Sequence, residues 1–100
     1  MKEIYYTNSF KKDLKKVKSY PSFKSDKLKH FVELLANNEQ LPATAKNHKL
    51  SSVSPKHLQG MWDFHVAPDI CVVYKVDDSS VSLIRIGKHN QLGLTEDISL

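Results

Sequence analysis

The stretch Gly60–Leu92, GMWDFHVAPDICVVYKVDDSSVSLIRIGKHNQL, decides how this chain is read. It divides into three β-strands separated by turn residues. Met61 to Val66 alternates: Trp62, Phe64 and Val66 share one face, and Met61, Asp63 and His65 share the other. The bulky aromatic face is the one suited to burial, so His65 is expected to point away from the packed core. Ala67-Pro68-Asp69 reads as a turn. Ile70 to Val76 is apolar on both faces, the pattern of a central strand. Asp77-Asp78-Ser79-Ser80 makes a hairpin turn, and Val81 to Ile86 is a third strand ended by Gly87. Strict alternation puts Arg85 with Val81 and Leu83, opposite Ile84 and Ile86. Four polar residues then need explaining: His65, Asp69, Arg85 and His89.

The chain before this stretch reads as scaffold. Lys2 to Thr7 is rich in Ile and Tyr and predicts a first strand. Asn8 or Ser9 is placed to cap a following helix. Phe10, Leu14 and Val17 recur at i, i+4, i+7 as its apolar stripe, and Lys11, Lys12, Lys15, Lys16 and Lys18 cover the rest. Tyr20-Pro21 breaks this helix. A second runs from about Ser22 to Ala36 on Leu28, Phe31, Val32 and Leu35, with Asn37-Asn38 as its stop. His30 sits off that stripe, as a surface residue. Glu39 to Gln59 has no clear periodicity and reads as a long loop with a short strand or turn near Lys49-Leu50. His48 is its one chemically interesting group. Leu92 to Leu100 adds a short edge strand or frays. The order is β-α-α-loop-β-β-β. It predicts one α+β domain over residues 1–100, a helical hairpin packed on a mainly antiparallel sheet.

Composition narrows the function classes. The apolar fraction of 40% suffices for a core, and no apolar run reaches the roughly 20 residues of a membrane span. MKEIYYTNSF has no apolar core and no small-residue cleavage site, so no signal peptide is expected. A single cysteine, Cys71, fits a reducing cytoplasm. Net charge is +4. Lys2 to Lys29 holds nine lysines against Glu3, Asp13 and Asp26, and Arg85 is the sole arginine. Such a face suits a polyanion such as RNA or DNA, or an acidic protein; a solvated helix face is the alternative.

Several chemistries lack their signatures. The histidines and Cys71 show no HxH, HExxH or CxxC spacing, so the sequence supports neither a metal site nor any cofactor. The glycines (Gly60, Gly87, Gly93) are isolated, so no phosphate loop is present. Cys71, inside an apolar strand, reads as packing. Acid–base chemistry with cationic help remains. RNA is cut when a base removes the 2′-hydroxyl proton, an acid protonates the 5′-oxygen, and a cation meets the charge growing on phosphate. Histidine takes either proton role near neutrality, and Arg85 offers a bidentate phosphate donor. Each group also has a structural reading: His48, His65 and His89 as surface residues, Asp69 as a turn residue, Arg85 as an ion-pair partner.

At these residues the chain resembles a known family. Leu41-Pro42, His48-Lys49-Leu50, Asp63-Phe64-His65-Val66-Ala67-Pro68-Asp69, Val73-Tyr74-Lys75, Ile84-Arg85-Ile86-Gly87-Lys88-His89 and Leu92 stand in the order and spacing of the YafQ-type branch of the RelE/ParE toxins. These are toxins of bacterial type II toxin–antitoxin modules. H-x-x-P-D and R-x-G-x-H are the most specific parts. The resemblance implies a RelE-like, microbial-RNase-like fold and metal-independent, ribosome-dependent cleavage of mRNA by an endoribonuclease. It places His48, His65, Asp69, Arg85 and His89 at functional positions. His89 would be the general acid, Asp69 or His65 the base, His48 an assistant and Arg85 the phosphate ligand. Lys11, Lys12, Lys15, Lys16, Lys49 and Lys88 would contact substrate or ribosomal RNA. The implied partners are an acidic antitoxin, the ribosome with its mRNA, and operator DNA only as the toxin–antitoxin complex. The chain departs from the family at Ile70 and Gly93, where aromatics are common, and at Trp62, where arginine often precedes the aspartate. Two alternatives share the fold: a ParE-like gyrase inhibitor, and an inactive homologue acting through antitoxin binding and operator repression.

Overall fold

Strand gives way to helix at Thr7. Its N–H makes a last strand bond to Leu83 O (3.1 Å), and its backbone is still extended at φ −70°, ψ 160°. Its side-chain oxygen accepts the Phe10 N–H (3.0 Å), satisfying a donor that the first helical turn leaves open, while its hydroxyl donates to Ile84 O (2.8 Å). Thr7, not Asn8 or Ser9, is therefore the cap. The computed structural model describes residues 1–50, 60–88 and 92. In chain order they form β1 (Glu3–Tyr6), α1 (Asn8–Val17), α2 (Ser25–Ala36), a 3₁₀ turn (Ala43–Ala45), β2 (His48–Lys49), β3 (Trp62–Ala67), β4 (Ile70–Val76) and β5 (Ser80–Gly87). Residues 51–59, the later part of the expected long loop, and residues 93–100 lie outside the described part, as does His89.

Helix α2 starts at Ser25 rather than Ser22. The Phe23 N–H closes a turn onto Tyr20 O (3.1 Å), and Lys24 is extended, so Tyr20 to Lys24 is a connection with Phe23 buried. The stop falls where asparagine was expected to supply it, with Asn38 in the left-handed region at φ 60°.

The five strands form one sheet in the order β1-β5-β4-β3-β2, with β1 parallel to β5 and the other pairs antiparallel. β4 is the central strand that its two apolar faces predicted. One sheet face carries Phe64, Val66, Val72, Tyr74, Val81, Leu83 and Ile86, and the helices cover it with Phe10, Val17, Leu28, Phe31 and Val32. Phe64 sits between Phe31 and Tyr74 at ring separations of 5.8 and 5.6 Å. The other face carries a smaller cluster of Leu50, Cys71, Val73 and Leu92, flanked by Met61 and Ile84.

One expectation about faces fails. Ile86 joins Val81 and Leu83 on the helix-covered side, whereas alternation had opposed them. The cause is a bulge: Val73 pairs with Arg85 but the next residue, Tyr74, pairs with Leu83. The extra residue absorbs one step of alternation and re-aims Arg85. None of the described helices is long and apolar enough to cross a membrane.

Candidate functional site

The sheet register, rather than sequence spacing, assembles the polar groups. His48 on β2 pairs with Asp63 on β3, Asp63 with Val73 on β4, and Val73 with Arg85 on β5. These four residues form one transverse row. The next row toward the sheet end is His65, Cys71 and Gly87. Strand spacing of about 4.8 Å puts the backbones of His48 and Arg85 roughly 14 Å apart. The Pro68-Asp69 turn closes the same end of the sheet at which β5 finishes.

His48 is exposed and hydrogen-bonded through one ring nitrogen. Its Nδ1 lies 2.8 Å from Lys46 O, which only accepts, so Nδ1 carries the proton. Neutral His48 then presents the Nε2 lone pair, 3.6 Å from a carboxylate oxygen of Asp63. Taking up a proton there turns this approach into an ion pair. Asp63 is buried, at 1% exposure, so the carboxylate is fixed and the imidazole is the mobile partner.

His65 is half-buried and, as expected, lies off the helix-covered face. Its Nε2 is 3.4 Å from the Cys71 thiol. It also lines a cleft of about 240 Å³ with Lys27, Thr44, Lys46, Ala67 and Pro68. Asp69 is exposed in its turn and accepts a hydrogen bond from the Ser22 hydroxyl (2.9 Å). That bond ties the β3–β4 turn to the α1–α2 connection.

Arg85 is paired with Asp13 of α1: Nε and Nη2 donate to the two carboxylate oxygens at 2.5 and 3.1 Å. Asp13 also accepts the Ile86 N–H (3.2 Å). The hydrogen bonds that Arg85 donates to Asp13 raise its pKa above the ordinary value. A guanidinium has five N–H groups; this pair engages two and leaves the Nη1 amino group for another ligand. Arg85 and Asp13 line a cleft of about 400 Å³ with Ser9, Lys12 and Lys16.

The lysines therefore separate. Lys12 and Lys16, one helical turn apart, stand beside Arg85, whereas Lys11 lines a different, apolar groove with Phe10, Leu14 and Leu28. Lys15 and Lys49 are exposed. The Lys88 ammonium sits 4.6 Å over the Tyr20 ring, in cation–π range. Ile70 is fully buried in the helix-facing core. The exposed aromatics Tyr5 and Tyr6 lie on β1, at the opposite sheet edge from β2.

Comparison with known proteins gives this arrangement its context. Residues 2–94 match the family described as the bacterial toxin of type II toxin–antitoxin systems, YafQ. This chain belongs to the YafQ toxin family. The mRNA interferase toxin YafQ of Escherichia coli (strain B / BL21-DE3) is 36% identical over 92 residues, spanning 91% of this chain and 95% of that protein. YafQ in the E. coli DinJ–YafQ toxin–antitoxin complex superposes with a TM-score of 0.75 at 36% identity, covering 91% and 96% of the two chains. A copper-bound mutant toxin from Helicobacter pylori gives 0.81 at 28% identity, covering 92% and 99%. The RelE-like α+β fold expected from the sequence is thus the fold of solved YafQ structures.

Within this YafQ-family chain, sequence reading passed over Asp63, Asp13 and Ser22. Asp63 had a visible signal, an acid inside an otherwise apolar strand. Asp13 also had one, as a lone acid in the run Lys11-Lys12-Asp13-Leu14-Lys15-Lys16. Nothing local marked Ser22.

Proposed function

We propose that this toxin is an mRNA interferase that cuts messenger RNA on the ribosome and is held inactive by a small acidic antitoxin. Both E. coli relatives carry the name mRNA interferase toxin, and E. coli YafQ has been crystallised with DinJ. The observation that carries the reading is the transverse row, which sets His48 and Arg85 on a single sheet beside the His65 row.

The reaction needs two proton transfers and a cation. A base takes the 2′-hydroxyl proton, the 2′-oxygen forms a bond to phosphorus, and the P–O5′ bond breaks as an acid protonates the leaving oxygen. The products are a 2′,3′-cyclic phosphate and a 5′-hydroxyl. We assign His89 as the acid and Asp69 or His65 as the base. His48 assists through its Nε2, which Lys46 O holds in the proton-accepting tautomer. Arg85 meets the phosphate with its remaining N–H groups, and Lys12 and Lys16 widen the positive surface beside it. Lys11, Lys15, Lys49 and Lys88 extend the contact to substrate or ribosomal RNA. Operator DNA is bound only by the toxin–antitoxin complex. The buried Ile70 offers no stacking surface, so base preference rests on other groups.

The test is to map mRNA 5′ ends after induction of wild type, His65→Ala, Arg85→Lys and His89→Ala. New ends in wild type that vanish in the variants are expected. Growth arrest with no new ends, or with inhibited DNA supercoiling, would overturn it in favour of a gyrase target.

A further inference from the structure

Three donors of different chemistry converge on the sheet face away from the helices. Asp63 and His65 are two residues apart on β3 and so point the same way, and Cys71 is the register partner of His65 on β4. One carboxylate oxygen, one imidazole nitrogen and the thiol sulfur all lie within 4.8 Å of one another. Asp63 and Cys71 are 1% exposed, and His65 forms the half-open side next to the cleft it lines with Lys46 and Pro68.

We propose that this face captures a thiophilic divalent cation, zinc being the type, through Asp63, His65 and Cys71, and that capture shuts the site down. The dimensions suit it. With Zn–S near 2.3 Å and Zn–N near 2.0–2.1 Å, a tetrahedral ion sets its sulfur and nitrogen ligands about 3.5 Å apart. The Cys71 sulfur and His65 Nε2 are separated by 3.4 Å. An oxygen, a nitrogen and a sulfur donor match zinc's preferred ligands and leave one coordination position open. On binding, the thiol releases its proton to solvent and the cation takes the place between sulfur and nitrogen. Sequence spacing could not show this, because Cys71 reaches the other two by strand pairing. Shutdown follows because the ion occupies Nε2 of His65, which then neither accepts nor donates a proton; this half rests on the role of His65 in RNA cleavage given above.

The test separates binding from activity. The purified full-length chain is titrated with Co²⁺, read by the thiolate-to-cobalt charge-transfer band in the near ultraviolet and the visible bands of a tetrahedral site, and then displaced with Zn²⁺. One equivalent should bind. Cys71→Val, which keeps an apolar side chain of similar size in the buried position, and Cys71→Ser should both lose the charge-transfer band. Affinity in both should fall by more than the roughly 10–100-fold that loss of an outer-shell partner costs. Circular dichroism identifies a variant that has not folded, and the other variant then decides. Absence of the band in wild type, or unchanged affinity in a folded Cys71 variant, overturns the site. One equivalent of Zn²⁺ should also stop RNA cleavage by wild type, with each variant scored against its own metal-free rate. Binding without inhibition overturns the shutdown half. If His65→Ala itself cleaves normally, the assignment of His65 has failed rather than the cation site.

Discussion

Replacing Asp13 by asparagine should disarm Arg85 from a distance. Asp13 accepts two bonds from the guanidinium and one from the Ile86 N–H, so it fixes both the arginine and the backbone beyond the β5 bulge. Hydrogen bonds to a charged group contribute about 1.5–3 kcal/mol each when desolvated. Here the arginine side chain is 32% exposed and the carboxylate 18%, so solvent competes. The discounted total is about 2 kcal/mol. For a chain of this size that is a fall in Tm of roughly 8–16 °C. Asparagine preserves the shape and one acceptor, so the loss reports charge rather than a cavity. Thermal unfolding followed by circular dichroism measures it, alongside Arg85→Ala and the double variant. If Asp13 acts on cleavage only by positioning Arg85, adding Asp13→Asn to Arg85→Ala should leave the residual cleavage rate unchanged. It should still lower stability by about 1 kcal/mol through the Ile86 N–H. A Tm within about 2 °C of wild type for Asp13→Asn, or cleavage losses that simply multiply in the double variant, would refute the reasoning.

Tyr74 should set the alkaline limit of the fold. Burial pushes its phenol from 10.0 up to about 12, and the hydroxyl donates a hydrogen bond to Asn47 (2.6 Å). The folded state therefore keeps a proton that the unfolded chain has lost. That stabilisation is complete below pH 10 and is lost as pH rises from 10 to 12, by up to about 2–3 kcal/mol. Denaturant unfolding across this window should show a steep decline in wild type and a shallower one in Tyr74→Phe; equal slopes would contradict the assignment. Thr7→Ala removes the cap of α1 and a hydroxyl bond to Ile84 O, and should cost about 1–2 kcal/mol by the same method, whereas Thr7→Ser should restore most of it.

The sequence alone settled what depends on periodicity. The apolar face of α1, that of α2, the central place of β4 and the outward aim of His65 were all legible, because burial imposes a repeat of 3.6 or 2 on local composition. Its motifs also carried the family. What stayed hidden depends on non-local pairing. The bulge at Ile84–Arg85 breaks alternation without leaving a glycine or proline to announce it, so Ile86 was expected on the wrong face. The Asp13–Arg85 pair joins residues 72 apart, and Ser22 meets Asp69 across 47. Asp63, read only as a strand residue, proves to be the buried carboxylate facing His48. The sheet register then makes neighbours of Asp63, His65 and Cys71, whose spacing along the chain matches no ligand motif. Local pattern encodes which groups turn inward or outward, whereas register and bulges decide which of them meet.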